Sequence, residues 1–109
     1  MSDQVGSVFA ALSDSTRRWM VETLLREGTA TVPSLSAELP MSRQAVAKHL
    51  SALDEAGIVR RLPPSGREVP YALRPGALDP AAGWLRSAEA EWDTRLSRLK
   101  DAVERPSVE

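Results

Sequence analysis

A chain of 109 residues has room for one hydrophobic core, and at 42% hydrophobic and 27% charged its proportions are those of a small globular domain that gains from burying surface against a partner. It contains no cysteine, which excludes disulfides, thiolate metal ligation and cysteine redox chemistry together. The net charge of −1 is unevenly spread: residues 41–74 carry six basic against three acidic side chains, whereas the segments on either side are each net −2, so a cationic face is confined to the middle third.

The opening Met1-Ser2-Asp3-Gln4-Val5-Gly6 has neither the basic region nor the apolar run of a secretory signal. No stretch approaches the roughly 18 apolar residues of a membrane span, so the chain reads as a soluble cytoplasmic protein with no membrane partner. Val5, Val8, Phe9 and Leu12 recur at helical spacing and predict a short first helix. Ser13-Asp14-Ser15 supplies capping oxygens for a second helix, from about Thr16 to Glu27, with Met20, Val21, Leu24 and Leu25 inward and Gly28 as its stop. Pro33 suits a first helical turn, which predicts a third helix over 33–39 with Leu35 and Leu39 buried and Pro40 closing it. A fourth helix, capped by Ser42, is expected to run to about Ala56 before Gly57.

Beyond Gly57 the periodicity changes. The runs 58–62 and 69–73 are β-compatible and flank Pro63-Pro64-Ser65-Gly66-Arg67, which predicts a hairpin with Pro70, lacking an amide donor, on an outer edge. Asp79-Pro80 opens the last and longest helix, to about Glu104, in which Leu85, Ala88, Trp92, Leu96, Leu99 and Val103 form one narrow stripe. Such a stripe seeks another helix. Residues 105–109 read as a disordered tail.

The order is four helices, a hairpin and a fifth helix, mainly α with a small β-hairpin, and the third and fourth helices are expected to be joined by little more than Pro40 and Met41. That pair reads as a helix-turn-helix with the hairpin as a wing, a winged helix-turn-helix occupying residues 1–109 as one domain. The DNA-reading part is 32–74, and the outer helices, about 4–12 and 79–104, are left for association.

At about 100° per residue, Val46, Leu50 and Leu53 fall on one side of the fourth helix and Arg43, Gln44, Ala47, Lys48 and Ser51 on nearly the opposite side. The second set suits base edges: a glutamine amide can pair with adenine, guanidinium and ammonium groups can donate to guanine, and an alanine methyl can meet thymine. With Ser42 at the helix start and Arg67 at the wing tip, these are the candidate DNA contacts. Arg60 and Arg61 alternate along a strand, so at most one is expected to reach DNA. His49 lies with Ala45, Ala52 and Ala56 on a small-residue sector and reads as a packing residue with a satisfied nitrogen. No second His or Cys exists to build a metal site with it, and no nucleophile-base set or cofactor motif suggests an enzyme. Arg17 and Arg18 open the second helix, where positive charge opposes the helix dipole, so an acidic residue or a phosphate is expected beside them.

Three segments carry a resemblance: residues 11–18 (Ala-Leu-Ser-Asp-Ser-Thr-Arg-Arg), residues 41–59 from Met41-Ser42-Arg43-Gln44 through Lys48-His49-Leu50 to Gly57-Ile58-Val59, and residues 66–73 (Gly-Arg-Glu-Val-Pro-Tyr-Ala-Leu). In this order and spacing the chain, over about residues 5–100, resembles the ArsR family of bacterial regulators. The resemblance implies a homodimer joined through the first and last helices, a double-stranded DNA operator bound by the fourth helix and wing, and repression released by an effector. Carried onto this chain it places Val5, Val8, Phe9, Leu85, Trp92, Leu96 and Leu99 in the dimer interface. The alternatives to the seam for Trp92 are that it fills its own chain's core or, less favoured, that it lines an effector pocket between the first and last helices. Metal-sensing members carry cysteines on the third helix or paired histidine and carboxylate ligands on the last. This sequence has neither pattern, and its Trp84, Trp92, Arg95, Leu96 and Leu99 are similar to a branch without recognised metal sites, so the expected effector is an unidentified small molecule. The rival expectation is a dimeric winged-helix module that binds proteins and not an operator.

Overall fold

The computed structural model describes residues 3–104, so the expectation for residues 105–109 lies outside the described residues. The elements follow in the order α1 (Gln4–Leu12), α2 (Ser15–Glu27), α3 (Val32–Ser36), α4 (Arg43–Glu55), β1 (Val59–Arg61), β2 (Tyr71–Leu73) and α5 (Asp79–Glu104). This is a mainly helical winged helix-turn-helix.

Side-chain oxygens start the inner helices, each satisfying an amide that the helix cannot pair internally. Asp14 accepts from the Arg17 amide at 3.0 Å and Ser42 from the Ala45 amide at 3.1 Å. Thr31 and Ser34 cap reciprocally, each side-chain oxygen accepting from the other's amide, at 3.1 and 2.9 Å. Helix α2 ends where Gly28 takes φ +87°, a backbone conformation that suits glycine.

The core gathers Val8 from α1, Met20 and Leu24 from α2, Leu35 from α3, Val46, Leu50 and Leu53 from α4, and Ile58 and Val59 at the start of the wing. Replacing one such fully enclosed leucine with alanine typically costs about 2–5 kcal/mol, so α4 is held by three anchors along a single face. Leu25 departs from expectation. It is 64% exposed, while Thr23 is buried at 3%. Leu25 stands about 100° past Leu24 around the helix, beyond the arc that faces the core, and Thr23 fits inside because its hydroxyl donates to the Trp19 carbonyl at 2.9 Å.

Helix α3 is shorter than predicted. After Ser36 the bonds tighten, Glu38 donating to Leu35 at 3.1 Å and Leu39 to Ser36 at 3.3 Å, a three-residue spacing that closes the last turn. Residues 37–42 form the connection to α4, and Leu39 is half-buried.

In the wing Val59 pairs with Leu73, Arg60 with Ala72 and Arg61 with Tyr71, antiparallel. Pro70 is not on an outer edge. Its carbonyl accepts from the Leu62 amide at 2.8 Å, and a proline cannot return the reciprocal bond, so the ladder stops there. The outer side of β2 is occupied by Ala30, which exchanges both backbone bonds with Tyr71 at 2.7 and 3.1 Å. At the tip Ser65 and Glu68 bracket Gly66 and Arg67. Gly66 takes φ +63°, the conformation that the first central residue of a two-residue hairpin turn requires.

The first turns of α5 pack on α1. Ala81 is buried, and the Phe9 and Trp84 rings meet edge to face, centroids 5.8 Å apart and planes at 79°. Beyond them α5 leaves the core, and the molecule measures 80 × 31 × 22 Å along its principal axes.

Candidate nucleic-acid interface

The reading face begins with the division of α4 into two sides. Val46, Leu50 and Leu53 are fully buried, which fixes the helix about its own axis. Arg43, Gln44, Lys48 and Ser51 consequently stand exposed, with Ala47 half-buried among them. No side-chain hydrogen bond or ion pair engages Arg43, Gln44, Lys48, Ser51 or Arg67 among the described residues, so their donors and acceptors point to solvent with nothing to release first. The Ser42 hydroxyl is already an acceptor in its cap, which leaves its proton available as a donor. Arg67 is exposed at the wing tip, and Arg60 and Arg61 are both exposed on β1. Guanidinium and ammonium groups on a helix and a neighbouring hairpin are the equipment for phosphate contact, and the amide and hydroxyl groups between them for reading bases.

The guanidinium groups of Arg17 and Arg18 bond chiefly to backbone carbonyls, while the acidic residue expected beside them is Asp14, whose carboxylate the Arg17 charge helps to stabilise. Arg17 Nε donates to the Ala11 carbonyl at 2.6 Å and Nη2 to Ala10 at 3.3 Å, and Arg18 Nη1 donates to Leu12 at 2.6 Å. Both cations therefore cap the carbonyl end of α1, where positive charge complements the helix dipole. Local sequence gave no sign of this, since it joins two helices across a turn. His49 is half-buried, and its Nδ1 lies 3.4 Å from Arg17 Nη1. A guanidinium only donates, so Nδ1 can accept this bond in the tautomer that carries the ring proton on Nε2. Asp14 stands at the same corner. Its carboxyl is held below the usual aspartate range, chiefly by the hydrogen bond from the Arg17 amide, with smaller help from the charges of His49 and Arg17 against partial desolvation.

A second tie joins the wing to α4. Arg74, just after β2, donates through Nε to the Val59 carbonyl at 3.0 Å and through Nη2 to Asp54 Oδ1 at 3.3 Å. Sequence reasoning missed this pair because nothing in the run around residue 74 points to a carboxylate at the end of α4.

The expected dimer residues divide. Leu85, Trp92, Leu96 and Leu99 are between 43% and 54% exposed, Phe9 is 36% exposed and Val5 is half-buried. Val8 departs from its expected place: it is fully enclosed by its own chain, within the core cluster that also holds Met20, Leu24 and Leu50, and it offers no surface to a second copy. No group of three or more His, Cys, Asp or Glu side chains converges among the described residues, and no described helix is long and apolar enough to cross a membrane.

The helix-turn-helix domain family matches residues 12–61, from the end of α1 through β1. Over 105 residues the chain is 35% identical to the arsenic resistance transcriptional regulator ArsR1 of Pseudomonas putida, spanning 91% of this chain and 80% of that protein. It is 44% identical over 68 residues to an HTH-type transcriptional regulator of Mycobacterium tuberculosis, covering 62% of each chain. Among solved structures, an ArsR-like transcriptional regulator from a Rhodococcus species superposes with a TM-score of 0.79 at 42% identity, covering 94% of this chain and 95% of that one. A capped helix-turn-helix with an open polar face on α4, a hairpin wing and a long closing helix, matched over nearly its whole length to such proteins, places this chain in the ArsR family of winged helix-turn-helix transcriptional regulators: a DNA-binding regulator and not an enzyme.

Proposed function

We propose that two copies of this chain join through α1 and α5, bind a two-fold symmetric operator in the cytoplasm, and repress transcription until a small-molecule effector releases them. Ser42, Arg43, Gln44, Ala47, Lys48 and Ser51 face the major groove, and Arg67 reaches the backbone or minor groove beside it. The observation that carries this reading is the reading face of α4, whose polar side chains are open and unengaged while its opposite face is locked in the core by three fully buried side chains. The effector is of a different chemical class from a thiophilic metalloid, because a sequence without cysteine has no thiolate for a soft ligand site.

The test is selection of bound fragments from genomic DNA by the purified protein, followed by titration of the enriched duplex against random duplex across salt concentrations. Binding about a thousandfold or more tighter than to random duplex is expected, with log affinity falling linearly as log salt rises. Equal affinity for both duplexes would overturn the reading in favour of a protein-binding module.

A further inference from the structure

Arg17 does two things at once. Through Nε and Nη2 it holds the last carbonyls of α1, at Ala11 and Ala10, and through Nη1 it meets His49 on the reading helix. The helix that we assign to dimer contact and the helix that we assign to base contact therefore share one guanidinium. Beside this contact the two helices border a groove of about 380 Å³, lined by Ser7 and Ala10 on α1, by Arg17 itself, and by Ala52, Glu55 and the cap residue Ala56 at the end of α4. Apart from the exposed Glu55, the side chains that α1 and α4 present to this groove are short and do not interlock, so a polar tie at the corner has leverage over the angle between them. The tie itself is half-buried and so is shielded from the solvent that weakens exposed pairs.

We infer that Arg17 and His49 are positioning residues: together they fix α4 against α1, and so set the separation and relative rotation of the two reading helices in a dimer. Neither residue needs to touch DNA for this. One base pair added between half-sites turns one of them by about 34° and moves it about 3.4 Å along the axis. A dimer whose reading helices are tied to its dimer helices cannot follow that change, whereas one with the tie cut can. The inference rests on the proposed dimeric operator complex, and its test separates the two.

The experiment measures affinity for the selected operator, for versions with one base pair inserted or removed at its centre, and for an isolated half-site. Wild-type protein is expected to prefer the native spacing by about tenfold. In His49→Ala the half-site affinity stays within about twofold of wild type while the spacing preference falls to about twofold or less. Arg17→Lys keeps the positive charge at the end of α1 but lacks the forked reach, and behaves as His49→Ala does. His49→Gln, whose amide oxygen can accept from Arg17, restores the preference. Folded dimers of His49→Ala and Arg17→Lys that keep the wild-type spacing preference would overturn the inference and leave the proposed function standing. A wild-type protein that ignores spacing altogether would overturn both.

Discussion

Ala81 and Leu85 lie one turn apart on the same face of α5, yet Ala81 is 6% exposed and Leu85 is 52% exposed. The core ends between them. The apolar stripe does not, for it runs on through Ala88, Trp92, Leu96, Leu99 and Val103, and Trp92 and Leu99 are themselves 54% and 52% exposed. A continuous apolar face projecting from a small domain marks an association surface, and in the proposed dimer two-fold symmetry would set the stripe against its copy. We expect Trp92→Ala to yield monomeric or weakly associated protein with operator affinity reduced about 100-fold or more, because two half-sites can no longer be engaged together. Sedimentation and operator titration on the same sample check this, and a stable dimer with unchanged DNA binding contradicts it.

On α4 the side chains that anchor and the side chains proposed to read DNA are different residues, so they can be altered separately. Gln44→Ala and Lys48→Ala should leave the thermal midpoint near wild type, since both side chains are exposed and unengaged. Each should weaken operator binding by about 1–3 kcal/mol and relax the base preference at one position. Affinities matching wild type at physiological salt in both variants would show that this face does not read the operator.

Arg74→Ala removes an ion pair whose side chains are 46% and 38% exposed, which by itself contributes no more than about 1 kcal/mol to stability. The effect on DNA binding should be larger than that suggests, because Arg74 ties the wing to the end of α4. A double-mutant cycle isolates the coupling. Arg67→Ala should weaken operator binding several-fold in the wild-type background and by distinctly less once Arg74 is gone. Additive losses would mean that the wing keeps its place without the tie.

Asp14 gives a pH dependence of known sign. Its carboxyl titrates lower in the folded chain than in the unfolded one, chiefly through the hydrogen bond from the Arg17 amide, so its stabilising contribution is present above the ordinary aspartate range and is lost as pH falls through the folded value. Asp14→Asn keeps a capping oxygen but has no charge to lose. Thermal melts should therefore show the variant less stable than wild type near neutrality, with the gap closing as pH drops below the ordinary aspartate range. A gap that stays constant with pH assigns the difference to something other than this charge.

Sequence alone determined the elements and the side of each that faces inward wherever the signal was local. Periodicity separated Val46, Leu50 and Leu53 from Gln44, Lys48 and Ser51, because a helix places residues three and four apart on one face whatever surrounds it. Ser42, Asp14 and Gly57 marked boundaries through bonds or backbone angles that involve only near neighbours. The same locality explains the misses. Leu25 stands outside against expectation because helical periodicity does not say how wide an arc the core covers, and Pro70 departs from the expected edge because the pairing of its neighbour Tyr71 with Ala30 joins segments far apart in the chain. Val8 is enclosed because α1 contributes to the central cluster, whereas Leu85 is left outside because the body of the domain covers only the first turns of α5. The ties of Arg17 to Ala11 and His49, and of Arg74 to Asp54, were decided by tertiary structure alone, since each depends on bringing together elements whose sequences carry no trace of one another.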